Sequence, residues 1–184
     1  MGPENTSRVT AVLFDRDGTL IEDVPYNGDP RRVRPVPTAA SALARLRRKG
    51  IRVGVITNQS GVARGLVTAD QVARVNAQVE ALLGPFDTWQ VCPHGPADGC
   101  ACRKPAPGMV LAACAALKVP AEQVVMVGDI ESDMVAARDA GVRSVLVPTP
   151  VTRVEEIHRA PVTACDLAAA VDWALTWEMS EALT

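Results

Sequence analysis

The sequence predicts an α/β fold in which a parallel central sheet carries helices on both faces. Three observations support this. Short runs of β-branched and apolar residues read as buried strands, and they alternate along the chain with stretches of helical period. The helical stretches end on glycines, at Gly50, Gly84 and Gly141. Regular alternation of strand and helix implies strands that run in one direction, because a parallel crossover needs a long connection.

Val9 to Phe14 is the first predicted strand, closed by Asp15-Arg16-Asp17-Gly18-Thr19. The segment Glu22 to Pro37 is rich in Gly and Pro and reads as a loop. Its basic run, Arg31-Arg32-Val33-Arg34, is either a solvated face or a rim that attracts an anion. Thr38 to Lys49 has Ala39, Ala42, Leu43 and Leu46 at helical spacing, with basic residues in the last turn. A second strand, Ile51 to Ile56, ends in Thr57-Asn58-Gln59-Ser60-Gly61. Those side chains suit a phosphate oxygen or a plain polar turn. Thr68-Ala69-Asp70-Gln71 is a capping box that opens a helix to Leu83, and Thr88 to Val91 is a short third strand. A helix from Pro107 to Leu117 follows, then a fourth strand over Gln123–Val127 that ends in Gly128-Asp129 and Asp133. A helix stopping at Gly141, a fifth strand over Ser144–Val147 and a last helix over Asp166–Trp177 complete the order. Trp173 and Trp177 lie four apart and read as packing; residues 178–184 read as a disordered tail.

A chain of 184 residues is expected to form one domain with a full core. Net charge of −2 gives no electrostatic case for a nucleic-acid or membrane partner. No apolar run reaches transmembrane length and the N-terminus lacks a signal-peptide core, so the expected compartment is the cytoplasm. Of the 19 basic residues only Lys49, Lys104 and Lys118 are lysines, so each one stands out.

Reactive residues gather at strand ends: Asp15 and Asp17, Thr57 and Asn58, Lys104 just after the third strand, and Asp129 and Asp133. Right-handed crossovers bring all of these ends to one edge of the sheet, where open α/β folds bind ligands. An Asp-x-Asp pair there can share a hard divalent cation, with one carboxylate attacking phosphorus and the other moving a proton. Between the third strand and the next helix, Cys92, His94, Cys100 and Cys102 offer three thiolates and an imidazole. A closed tetrahedral Zn²⁺ site is expected, with a disulfide loop or unligated thiols as the alternatives. Cys114 and Cys165 read as small apolar fillers.

These four pieces resemble the haloacid dehalogenase (HAD) superfamily of aspartate-nucleophile phosphatases, and the match runs along essentially the whole chain. The resemblance implies a three-layer Rossmannoid fold with a zinc-bound loop and no cap domain. It implies Asp15 as nucleophile, Asp17 as general acid/base, and Thr57 and Lys104 on the phosphoryl group. Mg²⁺ would take the Asp15 carboxylate, the Asp17 backbone carbonyl and Asp129, with Asp133 orienting these ligands from behind.

The cysteine loop, followed by Arg103-Lys104-Pro105, and the run Thr57-Asn58-Gln59-Ser60-Gly61-Val62-Ala63-Arg64-Gly65 are similar to the branch holding the heptose-bisphosphate and histidinol-phosphate phosphatases. Carried over by position, Asp23, Tyr26, Asn58, Gln59, Ser60 and Arg103 would contact a small phosphorylated metabolite, most simply a sugar bisphosphate. Arg103 would clamp its second phosphate. Ile130 departs from the polar residue that the branch often places there, which bears on substrate and leaves reaction class untouched. Family members are expected to be monomers. Histidinol phosphate and a 3′-phosphorylated polynucleotide end remain as substrates. The rival from another class is a zinc-ribbon binding module, which would leave the four strand-end motifs idle.

Overall fold

The computed structural model describes residues 8–176. Its elements, in chain order, are β1 (Ala11–Phe14), α1 (Ala39–Arg48), β2 (Arg52–Asn58), α2 (Ala69–Leu83), β3 (Thr88–Cys92), α3 (Gly108–Leu117), β4 (Val124–Gly128), α4 (Glu131–Asp139), β5 (Arg143–Leu146), α5 (Val154–Arg159) and α6 (Leu167–Thr176). The strands form one parallel sheet in the order β3-β2-β1-β4-β5. β1 lies at the centre, and the chain reverses its direction of travel across the sheet between β1 and β4.

Alternation along β1 divides the core. Val12 and Phe14 face a cluster that contains Leu43 and Leu46 of α1, Val75 and Val79 of α2, and Leu167 and Val171 of α6. Ala11 and Leu13 face the opposite cluster, with Met109 and Val110 of α3 and Ala136 and Ala137 of α4. Two helical layers therefore enclose the sheet, and buried strands of this kind need near-continuous apolar runs. The capping box of α2 is formed as expected: Gln71 N donates to Thr68 Oγ1 at 3.1 Å and Thr68 N to Gln71 Oε1 at 2.7 Å. Among the described residues no inserted domain interrupts the strand–helix alternation, so the capless architecture stands.

Two local expectations differ from the structure. β2 continues through Thr57 and Asn58, which pair with Val91 and Cys92 of β3, because the ladder extends past the end of the apolar run. α5 falls between the fifth strand and the last helix, an interval to which the sequence assigned no helix. Its six residues carry little apolar periodicity, and Arg153 closes the turn by donating its N–H to Glu156 Oε2 at 3.2 Å. Trp173 is half-buried against the first core cluster, whereas Trp177 and the tail expected to be disordered lie outside the described residues.

Candidate active site

The site begins with the ends of β1 and β4, neighbours at the point where strand order reverses, where doubly wound sheets open a crevice. Asp15 follows β1, and its N–H donates to Val127 O at 2.9 Å, which holds the acid against β4. Lys104 donates to Asp15 Oδ1 at 2.6 Å and to Ile56 O at 3.1 Å, and its Nζ lies 2.6 Å from Asp133 Oδ1. It is only 4% exposed. Asn58 sets its backbone: Asn58 Nδ2 donates to Lys104 O at 3.0 Å, and Lys104 N donates to Asn58 Oδ1 at 3.1 Å. Both polar atoms of Asn58 are thus engaged in fastening the lysine loop to β2.

Asp133, fully buried, accepts from the backbone N–H groups of Asp129 and Ile130 at 3.2 and 3.3 Å and closes the turn into α4. Thr152 Oγ1 donates to Asp129 O at 2.7 Å and ties the loop after β5 to the same turn. Gly18 lies at φ +81°, and a Cβ there would sit 2.3 Å from Asp129 Oδ2. Only glycine lets the loop after β1 pass so close to that carboxylate.

Carboxylate oxygens of Asp15, Asp129 and Asp133 lie within 4.8 Å of one another. Burial pushes Asp15 up to about 7, with Asp133 and Asp17 adding to the effect and Lys104 opposing it. Burial, then the charges of Asp15 and Asp133, push Asp129 up to about 8. For Lys104, burial disfavours the ammonium, but Asp133 and Asp15 outweigh it and hold the group above the ordinary lysine range. Three buried carboxyl groups face one ammonium, so their full ionisation, which burial and mutual repulsion oppose, calls for a further cation. Asp133 is taken up by Lys104 and two N–H groups, so Asp15 and Asp129 are the carboxylates left to a cation. All-oxygen donors in this number fit a hard divalent ion such as Mg²⁺.

Asp17 sits beside this cluster. Gln59 Nε2 donates to Asp17 Oδ2 and to Thr57 Oγ1, each at 2.8 Å, and Thr57 Oγ1 lies 3.5 Å from Asp17 Oδ2. Arg16 grips the Asp17 carboxylate from the other side, with its shortest contact at 2.8 Å. Arg16 is absent from the sequence-derived set. Its one visible signal is a basic residue between two acids, and burial is what gives that signal meaning.

Two cavities meet at Asp17, Asp23 and Asn58. One, of about 200 Å³, is lined by Asp15, Thr57, Lys104, Asp129 and Ile130; the other, of about 180 Å³, by Tyr26, Gln59 and Ser60. Tyr26 holds a left-handed backbone at φ 53° and accepts from Arg64 Nη1 at 2.7 Å. Asp23, Tyr26, Gln59 and Ser60 therefore do come together beside the acid cluster. Arg103 does not line either cavity: its Nη1 donates to His94 O at 3.3 Å, toward the cysteine loop. Arg31 is spent on Asp29 and Arg34 on backbone carbonyls, as a solvated face would be.

The cysteine loop gathers its four predicted ligands. Cys102 Sγ lies 3.1 Å from Cys92 Sγ, 3.4 Å from Cys100 Sγ and 3.2 Å from His94 Nδ1. Cys92 Sγ lies 3.6 Å from His94 Nδ1 and 3.7 Å from Cys100 Sγ. These separations are far beyond the roughly 2.05 Å of a disulfide, and all three cysteines are free thiols. They approach the edges of about 3.8 Å expected for sulfurs at 2.3 Å around tetrahedral zinc. Burial pushes the Cys92 thiol up to about 12. At Cys100 burial works the same way, yet N–H groups of Arg103 and Cys102 and the neighbouring thiols bring it down to about 7.

Fold and site define a class, and comparison with known proteins gives it a name. Residues 12–83 match the haloacid dehalogenase-like hydrolase family model, and residues 101–172 match a HAD-hydrolase-like model. The D-glycero-beta-D-manno-heptose-1,7-bisphosphate 7-phosphatase of Pseudomonas putida is 38% identical over 143 residues, covering 75% of this chain and 82% of that one. Its Yersinia pestis namesake is 34% identical over 182 residues, covering 92% of each. The crystal structure of D,D-heptose 1,7-bisphosphate phosphatase from Bordetella bronchiseptica, complexed with magnesium and phosphate, superposes with a TM-score of 0.82. It is 32% identical and covers 91% of this chain and 98% of that one. The chain belongs to the haloacid dehalogenase-like hydrolases, and it is a phosphatase. Among the described residues no helix is long and apolar enough to cross a membrane.

Proposed function

We propose that this phosphatase removes the 7-phosphate of D-glycero-D-manno-heptose 1,7-bisphosphate through an aspartyl-phosphate intermediate. The observation that carries the chemistry is the ammonium of Lys104 seated between Asp15 and Asp133, next to Asp17, an acid that Arg16 and Gln59 hold in place. The substrate rests on relatives 34–38% identical over most of the chain.

Asp15 attacks phosphorus in line, and the bond from phosphorus to the sugar oxygen breaks. Asp17 gives its proton to that oxygen, then takes one from the water that hydrolyses the acyl phosphate, releasing inorganic phosphate. Thr57 and loop N–H groups bind phosphoryl oxygens, while Lys104 offsets the charge that builds on them. Asp15, the Asp17 carbonyl and Asp129, with Asp133 behind, would hold Mg²⁺, which would supply the positive charge that lets a carboxylate approach a phosphate dianion. Cys92, His94, Cys100 and Cys102 would hold Zn²⁺ as a closed set, which would order the loop that delivers Lys104 and leave the chemistry to the acid cluster. Asp23, Tyr26 and Ser60 face the sugar. The enzyme acts in the cytoplasm, where its thiols stay reduced, and as a monomer.

One observation favours a second reading. Ile130, 37% exposed, and Val151, 72% exposed, form an apolar wall of the catalytic cavity, and Arg103 does not line it. A substrate with a single phosphate and a weakly charged remote end, such as histidinol phosphate, suits that wall. Measuring kcat/KM side by side on both anomers of heptose bisphosphate, on histidinol phosphate and on a 3′-phosphorylated oligonucleotide decides between them. Preference for histidinol phosphate by tenfold or more would overturn the sugar assignment and leave the reaction class intact.

A further inference from the structure

Arg16 is the largest fully buried side chain among the described residues, at 1% exposure. Placing a guanidinium out of water is costly unless it is paired, so its partners explain its presence. They are few and specific. Nε reaches Asp17 Oδ1 and Oδ2 at 3.2 and 3.1 Å, and Nη2 reaches the same oxygens at 3.1 and 2.8 Å. The opposite edge of the fork, Nη1, donates to Asn76 Oδ1 of α2 at 2.6 Å. The backbone is pinned as well, because Arg16 O accepts from Leu20 N at 3.0 Å and Ile21 N at 3.1 Å. Neighbours in an extended chain point to opposite faces, so a fork between adjacent side chains needs the turn that these bonds build.

This arrangement fixes where the Asp17 carboxylate can be. Both oxygens are gripped by a rigid planar donor whose far edge is anchored to a helix. Asp17 lines both the cavity around Asp15 and the one around Tyr26, and therefore faces the space through which a leaving group must pass.

We propose that Arg16 is a positioning residue, anchored by Asn76, that aims Asp17 at the leaving-group oxygen. The inference rests on the proposed acid/base role of Asp17, and the experiment separates the two. An alkyl phosphate needs its strongly basic leaving oxygen protonated, whereas p-nitrophenolate departs unaided. Values of kcat/KM, which report events through the first chemical step, are compared for a sugar phosphate and p-nitrophenyl phosphate. Arg16→Lys keeps the charge and loses the fork. It should lower kcat/KM for the sugar phosphate about 100-fold, within the range of general acid catalysis, and for the aryl ester less than about fivefold. Asn76→Ala, outside the site, should give the same selectivity at about tenfold, the value of one hydrogen bond to a charged group. It carries the test should Arg16→Lys fail to fold. Asp17→Asn is the reference. If it shows no selective loss on the sugar phosphate, the acid/base reading itself falls. If Asp17→Asn is selective while Arg16→Lys and Asn76→Ala lower both substrates equally, Arg16 is structural only and the positioning role is overturned.

Discussion

Removing Mg²⁺ should make this fold lose stability as the pH rises, the reverse of the usual behaviour of carboxylates paired with a cation. In the metal-free fold, Asp15 and Asp129 retain their protons to about 7 and about 8, whereas the unfolded chain releases them near 3.8. Between those limits the folded state binds more protons than the unfolded one, so unfolding free energy falls with increasing pH. Moving one carboxyl from 3.8 to about 7 corresponds to about 4 kcal/mol, and about 3 kcal/mol of it is lost between pH 5 and 8. Part of the Asp129 displacement is the Asp15 charge itself, so the pair is counted once. For a chain of this size, that loss is a Tm decrease on the order of 10 °C. The assay is a thermal melt followed by circular dichroism, in protein desalted into magnesium-free buffer from pH 5 to 8.5, with and without added Mg²⁺. At 100 times its Kd the ion should return about 2.7 kcal/mol at the alkaline end, and less at pH 5, where protons compete for the same oxygens. Asp15→Asn removes the carboxyl counted here and should flatten the slope, while Asp129→Asn should abolish the rescue. A metal-free Tm that stays level or climbs over this range, or a slope unchanged in Asp15→Asn, would refute the account of the cluster as a cation site.

Other perturbations bear on the remaining parts. Asp15→Asn should abolish turnover with the fold intact by circular dichroism; full hydrolysis by the pure variant would reject the covalent route. Lys104→Met leaves Asp15 and Asp133 without their buried cation and should destabilise by about 3–5 kcal/mol in urea titrations, in addition to suppressing kcat. Stripping zinc while keeping Mg²⁺ should raise hydrogen exchange across the 92–104 loop and depress kcat/KM, and unchanged kinetics in verified zinc-free protein would contradict the ordering role. Ile130→Lys puts a cation on the apolar wall of the catalytic cavity and should raise kcat/KM for a bisphosphate relative to a monophosphate, as read in a two-substrate competition.

The sequence by itself determined what is local and periodic. Apolar runs, capping residues and glycine stops mark the five strands and five of the six helices, and the polar residues closing those strands fall out of the same count. The short ligand spacing from Cys92 to Cys102 could be read as a cage because so few residues intervene. Tertiary structure decided which strand ends are neighbours. Setting β4 beside β1 brings Asp129 to Asp15 across more than a hundred residues, and no periodicity encodes a pairing of that range. It also gave residues expected to meet substrate contacts within the protein: Asn58 with the Lys104 backbone, Gln59 with Asp17, and Arg103 with a carbonyl of the cysteine loop, while Asn58 and Gln59 still line the cavities. Arg16 makes the same point most sharply, because a guanidinium between two acids looks like surface charge until the chain is folded. Burial and long-range contact, which set the energy of a charge, are properties of the folded chain, and composition does not carry them.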